Sequence, residues 1–166
     1  YYILEAHDSG GTMFSVKGDG TLYADSGATF TGTVKSAVPS FSAYSSSSGG
    51  SGASGVQIFA TQTLNQGSHY NTSNGRFTAP VTGVYHFAGQ MLSNAGALVR
   101  CDFQINGTSV RHSESTHGST GYTQTGYDAS GLSLTISLSA SDYVNLHSSY
   151  TNYGGGYSFF SGHLVG

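Results

Sequence analysis

From Leu132 to Ser139 every even position is apolar and every odd one is hydroxylated. Side chains alternate faces along a strand, so this stretch predicts a half-buried β-strand. Val144-Asn145-Leu146-His147 repeats the alternation, and in Gly83 to Met91 the side chains of Tyr85, Phe87 and Met91 share one face. In Val99 to Ile105 the odd positions are apolar, which places Cys101 inside as a small buried residue rather than a reactive thiol. Asn106-Gly107 joins Gln104-Ile105 to Thr108-Ser109-Val110, a two-residue hairpin signal because both turn residues must take positive φ. No segment combines helical periodicity with helix start and stop signals. Strands recurring about every ten residues predict a sandwich, jelly roll or barrel.

The chain divides near Val38-Pro39. Residues 1–38 carry four short apolar runs, at 1–4, 13–16, 21–24 and 28–34, each bounded by Gly or Asp. These are strand-and-turn signals. A segment of this length is too short to bury a core alone. It needs the second region or copies from other chains, as in an intertwined trimeric β stalk. The Ser/Gly run from Ser45 to Gly55 has a linker's composition, but strand-like residues flank it on both sides, and it is read as a long loop within one domain.

Composition narrows the function. Of 166 residues only 8% are charged, 13% are aromatic with no Trp, and 25 are Gly. Disordered chains are charge-rich and aromatic-poor, so this is a folded protein. The net charge of −3 and the lack of a basic cluster exclude a nucleic-acid binder. No apolar run has the ~18 residues of a transmembrane helix. One cysteine excludes an internal disulfide. The chain begins at Tyr1 and is read as a piece of a longer polypeptide that faces the medium.

The order of motifs after Pro39 resembles the C1q globular-head family, which shares its jelly roll with the tumour necrosis factor family. Phe41-Ser42-Ala43 is similar to its opening strand. Tyr70-Asn71, then Gly75-Arg76-Phe77-Thr78-Ala79-Pro80, is similar to its approach to the central strand, and Gly83-Val84-Tyr85-His86-Phe87 to its central signature. Leu138 to Leu146 resembles "L-x-x-G-D-x-V-x-L" with Ser141 in place of Gly. Phe160 to Val165 resembles the closing strand, with His163 where an aromatic or aliphatic residue is typical. The resemblance implies an all-β, ten-stranded jelly-roll sandwich in residues 39–166, homotrimeric, that binds without catalysis. Tyr85, Phe87 and Phe160 are expected as core or trimer-interface aromatics. Residues 1–38 lack collagen's Gly period and are similar to bacteriophage tail-fibre β repeats. Together these imply the distal tip of a viral fibre on the virion surface, binding a host receptor or glycan. A structural trimerisation module and a secreted C1q-like pattern-recognition protein are the alternatives.

Candidate sites follow from residue chemistry. Tyr, Ser, Gly and Asn make adaptable binding surfaces. They concentrate in 113–128, with His117, Tyr122, Gln124 and Tyr127, and in 148–157, with Tyr150, Asn152, Tyr153 and Tyr157. Tyr122, Gln124, Tyr127, Tyr150, Asn152 and Tyr153 are taken as ligand-binding candidates, against the reading that these are solvated loops. In some members of the resembled family, oxygens near the head apex bind calcium, which makes Asp142 a metal candidate. Calcium needs about six to eight oxygen ligands, and the other carboxylates of the head, Asp102, Glu114 and Asp128, are scattered in sequence. In a trimer one His near the axis becomes three ligands. His7, His86, His147 and His163 are therefore weighed as axial-ion ligands against ordinary hydrogen-bonding histidines. A carboxylate pair for glycoside hydrolysis is not evident, and no cofactor motif is present. Asn71-Thr72-Ser73 and Asn106-Gly107-Thr108 are glycosylation sequons read as turns.

Overall fold

A computed structural model describes residues 1–19, 22–24, 38–45, 51–52, 54–93, 98–115, 126–150, 152–153 and 156–166. Two compact units are present, Tyr1–Ser36 and Ala37–Gly166. In the first, β1 (Tyr2–Asp8), β2 (Gly11–Lys17) and β3 (Leu22–Ala24) form an antiparallel sheet in the order β1-β2-β3. Tyr1, Leu4, Leu22 and Tyr23 are exposed, in keeping with a unit too small to enclose a core. Three of the four predicted runs are strands; the fourth, 28–34, lies outside the described residues.

The second unit is an antiparallel two-sheet sandwich. Its strands are β4 (Ser40–Tyr44), β5 (Ser51–Gly52), β6 (Gly55–Val56), β7 (Thr61–Gln66), β8 (Tyr70–Asn71), β9 (Arg76–Thr78) and β10 (Gly83–Ser93). There follow β11 (Val99–Ile105), β12 (Thr108–Ser115), β13 (Ala129–Leu138), β14 (Tyr143–Ser148), β15 (Asn152–Tyr153) and β16 (Phe159–Leu164). One sheet runs β13-β10-β16-β4-β7, and the other runs β12-β11-β14-β9-β8. These two sheets supply the ten strands of the expected jelly roll. The other three segments are two-residue additions at their margins: β15 pairs the end of β10, β5 pairs β15, and β6 pairs β14. The Ser/Gly run is therefore not wholly loop, since backbone pairing draws β5 and part of β6 out of it.

The inward positions of both sheets meet in one core. Phe41 lies near its centre, stacked on Tyr70 at 4.8 Å and on Phe77 at 5.0 Å, and edge-on to Phe160 at 4.7 Å. Tyr85, Phe87 and Phe160 are each 0% exposed. They therefore fill the sandwich and offer no surface to a neighbouring chain. Gly162 faces the same core, and a Cβ there would run into the Phe87 ring. Cys101 is fully buried among these residues, and desolvation pushes its thiol well above the ordinary range. In β13 the odd positions from Ser133 to Ser137 are exposed, while Leu132, Leu134 and Ile136 pack against the core. Asn106 and Gly107 take φ of 51° and 83°, the two-residue turn read from the sequence.

Candidate functional site

The β4–β16–β10 strands fix the orientation of the head. Ser40 pairs with His163, and Tyr85 with Leu164. The chain thus enters the sandwich beside its C-terminal strand and near the start of β10. The other end of β10 is where the tyrosine-rich segments arrive. Leu92 and Ser93 pair with Tyr153 and Asn152. Asp128 donates its N–H to Ser93 Oγ at 2.7 Å, and Ser93 N donates to the Asp128 carbonyl at 2.7 Å. Ser158 Oγ donates to the Tyr153 carbonyl at 3.1 Å and accepts from Leu92 N at 3.0 Å. These bonds hold the segments before β13 and before β16 against one strand end.

Tyr127 and Tyr153 consequently meet edge to face, with ring centroids 4.8 Å apart. Tyr127 remains 53% exposed and Tyr157 64%. Tyr150 is held separately. Its N–H and carbonyl are both engaged by Ser148 Oγ, and its hydroxyl donates to Glu114 Oε1 at 3.3 Å. Of the six ligand-binding candidates, the structure brings Tyr127, Asn152 and Tyr153 to one strand end and ties Tyr150 to the end of β12. Tyr122 and Gln124 lie outside the described residues, as does His117.

Beside Tyr150 lies a charged group whose members come from separate stretches of the sequence. Arg100 Nε donates to Asp102 Oδ1 at 2.8 Å, and its Nη1 stands 3.9 Å from Glu114 Oε2. This hydrogen bond, with the charges of Asp102 and Glu114, raises the guanidinium further. Asp102 is only 2% exposed although it occupies an outward position of β11. His147, its cross-strand partner, brings Nδ1 within 3.5 Å of Asp102 Oδ2. A buried carboxylate needs such partners. The signal available in sequence was Arg100 two residues before Asp102, hence on the same face. The cross-strand His147 depends on register and carries no sequence signal.

Asp142 is fully engaged in a turn. Oδ1 accepts from Asn106 Nδ2 at 2.8 Å, and Oδ2 accepts from Ser139 N at 2.8 Å. These bonds hold its carboxyl below the usual range. Asp142 therefore braces the β13–β14 turn against the β11–β12 hairpin, a role that explains it without a metal. Among the described residues no group of three or more His, Cys, Asp or Glu side chains is placed to hold an ion.

The two sheets differ sharply in charge. β4, β5, β7, β10, β13, β15 and β16 contain no Asp, Glu, Lys or Arg. Arg76, Arg100, Asp102, Arg111 and Glu114 all lie on strands of the other sheet.

Ten antiparallel strands in two sheets around an aromatic core define a jelly-roll head. The residues from 40 to 165 match the C1q domain model, and the chain belongs to the C1q domain family. Among solved structures it is similar to the globular domain of zebrafish complement 1qA, with 16% identity and a TM-score of 0.64, covering 77% of this chain and 98% of that one. It is also similar to Eiger TNF from S. frugiperda, at 10% identity and a TM-score of 0.61, covering 78% and 93%. Murine APRIL gives 12% identity and a TM-score of 0.58, covering 77% and 99%. At these identities the likeness shows the fold. Among curated protein sequences none matches the chain.

Proposed function

We propose that the head is a homotrimeric, non-catalytic binding module that presents its tyrosine end to an extracellular ligand. The observation that carries this reading is the uncharged sheet. An average soluble protein is about one quarter charged residues, yet seven strands of this head carry none. Interface centres are depleted of charge and enriched in apolar area. The outer face of this sheet adds Leu64 and Val84, 46% and 36% exposed, in reach of a partner. Three copies packed on that face would leave the charged sheets outward. They would also set three tyrosine ends together, away from the point where the chain enters. Repetition of a modest site then gives avidity without new contacts. Exposed tyrosine rings beside Ser, Asn and Gly suit a sugar face or a protein surface equally.

In the finer reading the ligand is a host-surface glycan or protein and the molecule is a viral fibre tip, the β1–β3 unit being part of its stalk. What supports this is that the unit before the head contains β1–β3 and that residues 1–38 carry no collagen period. A secreted C1q-like recognition protein is the second reading, favoured by the animal origin of the similar structures. Replacing Tyr127, Tyr150 and Tyr153 together with Ala tests both. A folded triple variant is expected to lose at least tenfold in adsorption to target cells or immobilised glycan. Unchanged adsorption would remove this end from the binding surface and leave a trimerisation module.

A further inference from the structure

The uncharged sheet has one feature that neither packing nor ligand capture at the far end explains. His86 of β10 and His163 of β16 are direct cross-strand partners. Their inward neighbours are Tyr85, Phe87 and Gly162, so both imidazoles stand on the outer face. Their ring centroids are 5.8 Å apart with planes at 51°. Two imidazoles that share one tetrahedral ion have centroids about 5 Å apart, given metal–nitrogen bonds of about 2.0–2.1 Å. The two rings stand slightly farther apart than that.

The surroundings favour a cation over an ordinary hydrogen-bonding role. His86 Nδ1 lies 2.9 Å from Thr135 Oγ1 of the neighbouring strand. With Nδ1–H donating to that hydroxyl, the Nε2 lone pair is free, and the ring is fixed as metal-bound histidines usually are by an outer partner. The His163 ring touches His86 and makes no hydrogen bond to a described residue. Ser40 flanks it on β4. No Lys or Arg on this sheet repels a cation, and no carboxylate offers the oxygen ligands that calcium or magnesium require.

We propose that His86 and His163 form a two-imidazole site for a borderline transition-metal ion such as Cu(II), Ni(II) or Zn(II). Imidazole nitrogen suits these ions, and copper is bound most tightly of the series. Water completes the coordination in a single chain. The ion staples β10 to β16 where the chain enters the head. Both ligands come from one chain, and they stand on the face through which the copies are proposed to pack.

The test is a titration of tag-free protein with Cu(II), read by calorimetry and electron paramagnetic resonance. One ion per chain is expected, with nitrogen splitting from two imidazoles. His86→Gln or His163→Gln should weaken binding at least tenfold and leave a one-nitrogen signal. Thr135→Val should weaken it about tenfold through the lost outer partner. His112→Gln, on an exposed strand of the other sheet, should change nothing. Ni(II) should raise the melting temperature of the parent chain and of neither histidine variant. Circular dichroism confirms that each variant is folded. Binding that survives both histidine substitutions, or is lost equally in His112→Gln, or the absence of copper binding, overturns the proposal. The mass of the same samples is read separately: a monomer that binds copper at this pair keeps the site and removes the trimer.

Discussion

Ser141 shows how a single backbone angle constrains this sequence. Its φ is 76°, in the left-handed region, where a Cβ costs roughly 1–2 kcal/mol. The family motif places Gly there, and the structure shows why. Ser141→Gly relieves the clash but adds unfolded-state freedom, so a net gain of about 0.5–1 kcal/mol is expected as a rise of a few degrees in melting temperature. Tyr70 gives a pH-dependent counterpart. It is 3% exposed, and its hydroxyl lies 3.3 Å from both the N–H and the carbonyl of Phe59. Desolvation pushes its phenol from 10.0 to about 12. The folded state therefore favours the neutral form. The stability is complete below pH 10 and falls as pH rises from 10 to 12, by on the order of 2–3 kcal/mol. Tyr70→Phe should flatten that part of the alkaline stability profile while costing about 1 kcal/mol at neutral pH. A profile as steep as the parent's would place the titration elsewhere.

At the scale of elements, sequence was informative wherever side-chain chemistry decided the outcome. β13 was legible because alternation of apolar and hydroxylated residues is the signature of a one-sided strand. The β11–β12 hairpin was legible because few residues besides Asn and Gly accept positive φ at both turn positions. β5 was hidden for the opposite reason, and of the strand-like residues 56–60 that follow the Ser/Gly run only Val56 is in a strand, β6. The hydrogen bonds of β5 and β6 come from backbone pairing with β15 and β14, and a Ser/Gly composition carries no face pattern. The candidate site was half legible. Composition pointed to the tyrosine-rich segments, but the meeting of Tyr127 with Tyr153 depends on which strand end both segments are hydrogen-bonded to. The burial of Asp102 was not legible, because alternation places it outward, whereas Arg100 and His147 close over it.

For the whole molecule, the governing fact is the partition of charge between two sheets of one sandwich. It became visible only when strands far apart in sequence were assigned to the same sheet. A face without charge costs little to bury, which is why the proposed trimer packs through it and not through the charged sheet. The outer face of β10 and β16 tests this directly, since Ala88 and Ser161 are paired there. Ala88→Glu would place a carboxylate from each chain in a dehydrated contact, at a cost of several kcal/mol per ion. The decisive measurement is solution mass by light scattering for the parent chain, Ala88→Glu, and Thr108→Glu on the other sheet. Three times 17.1 kDa is expected for the parent and for Thr108→Glu, and 17.1 kDa for a folded Ala88→Glu. A parent of 17.1 kDa, or an Ala88→Glu variant that keeps the trimer mass, would contradict it.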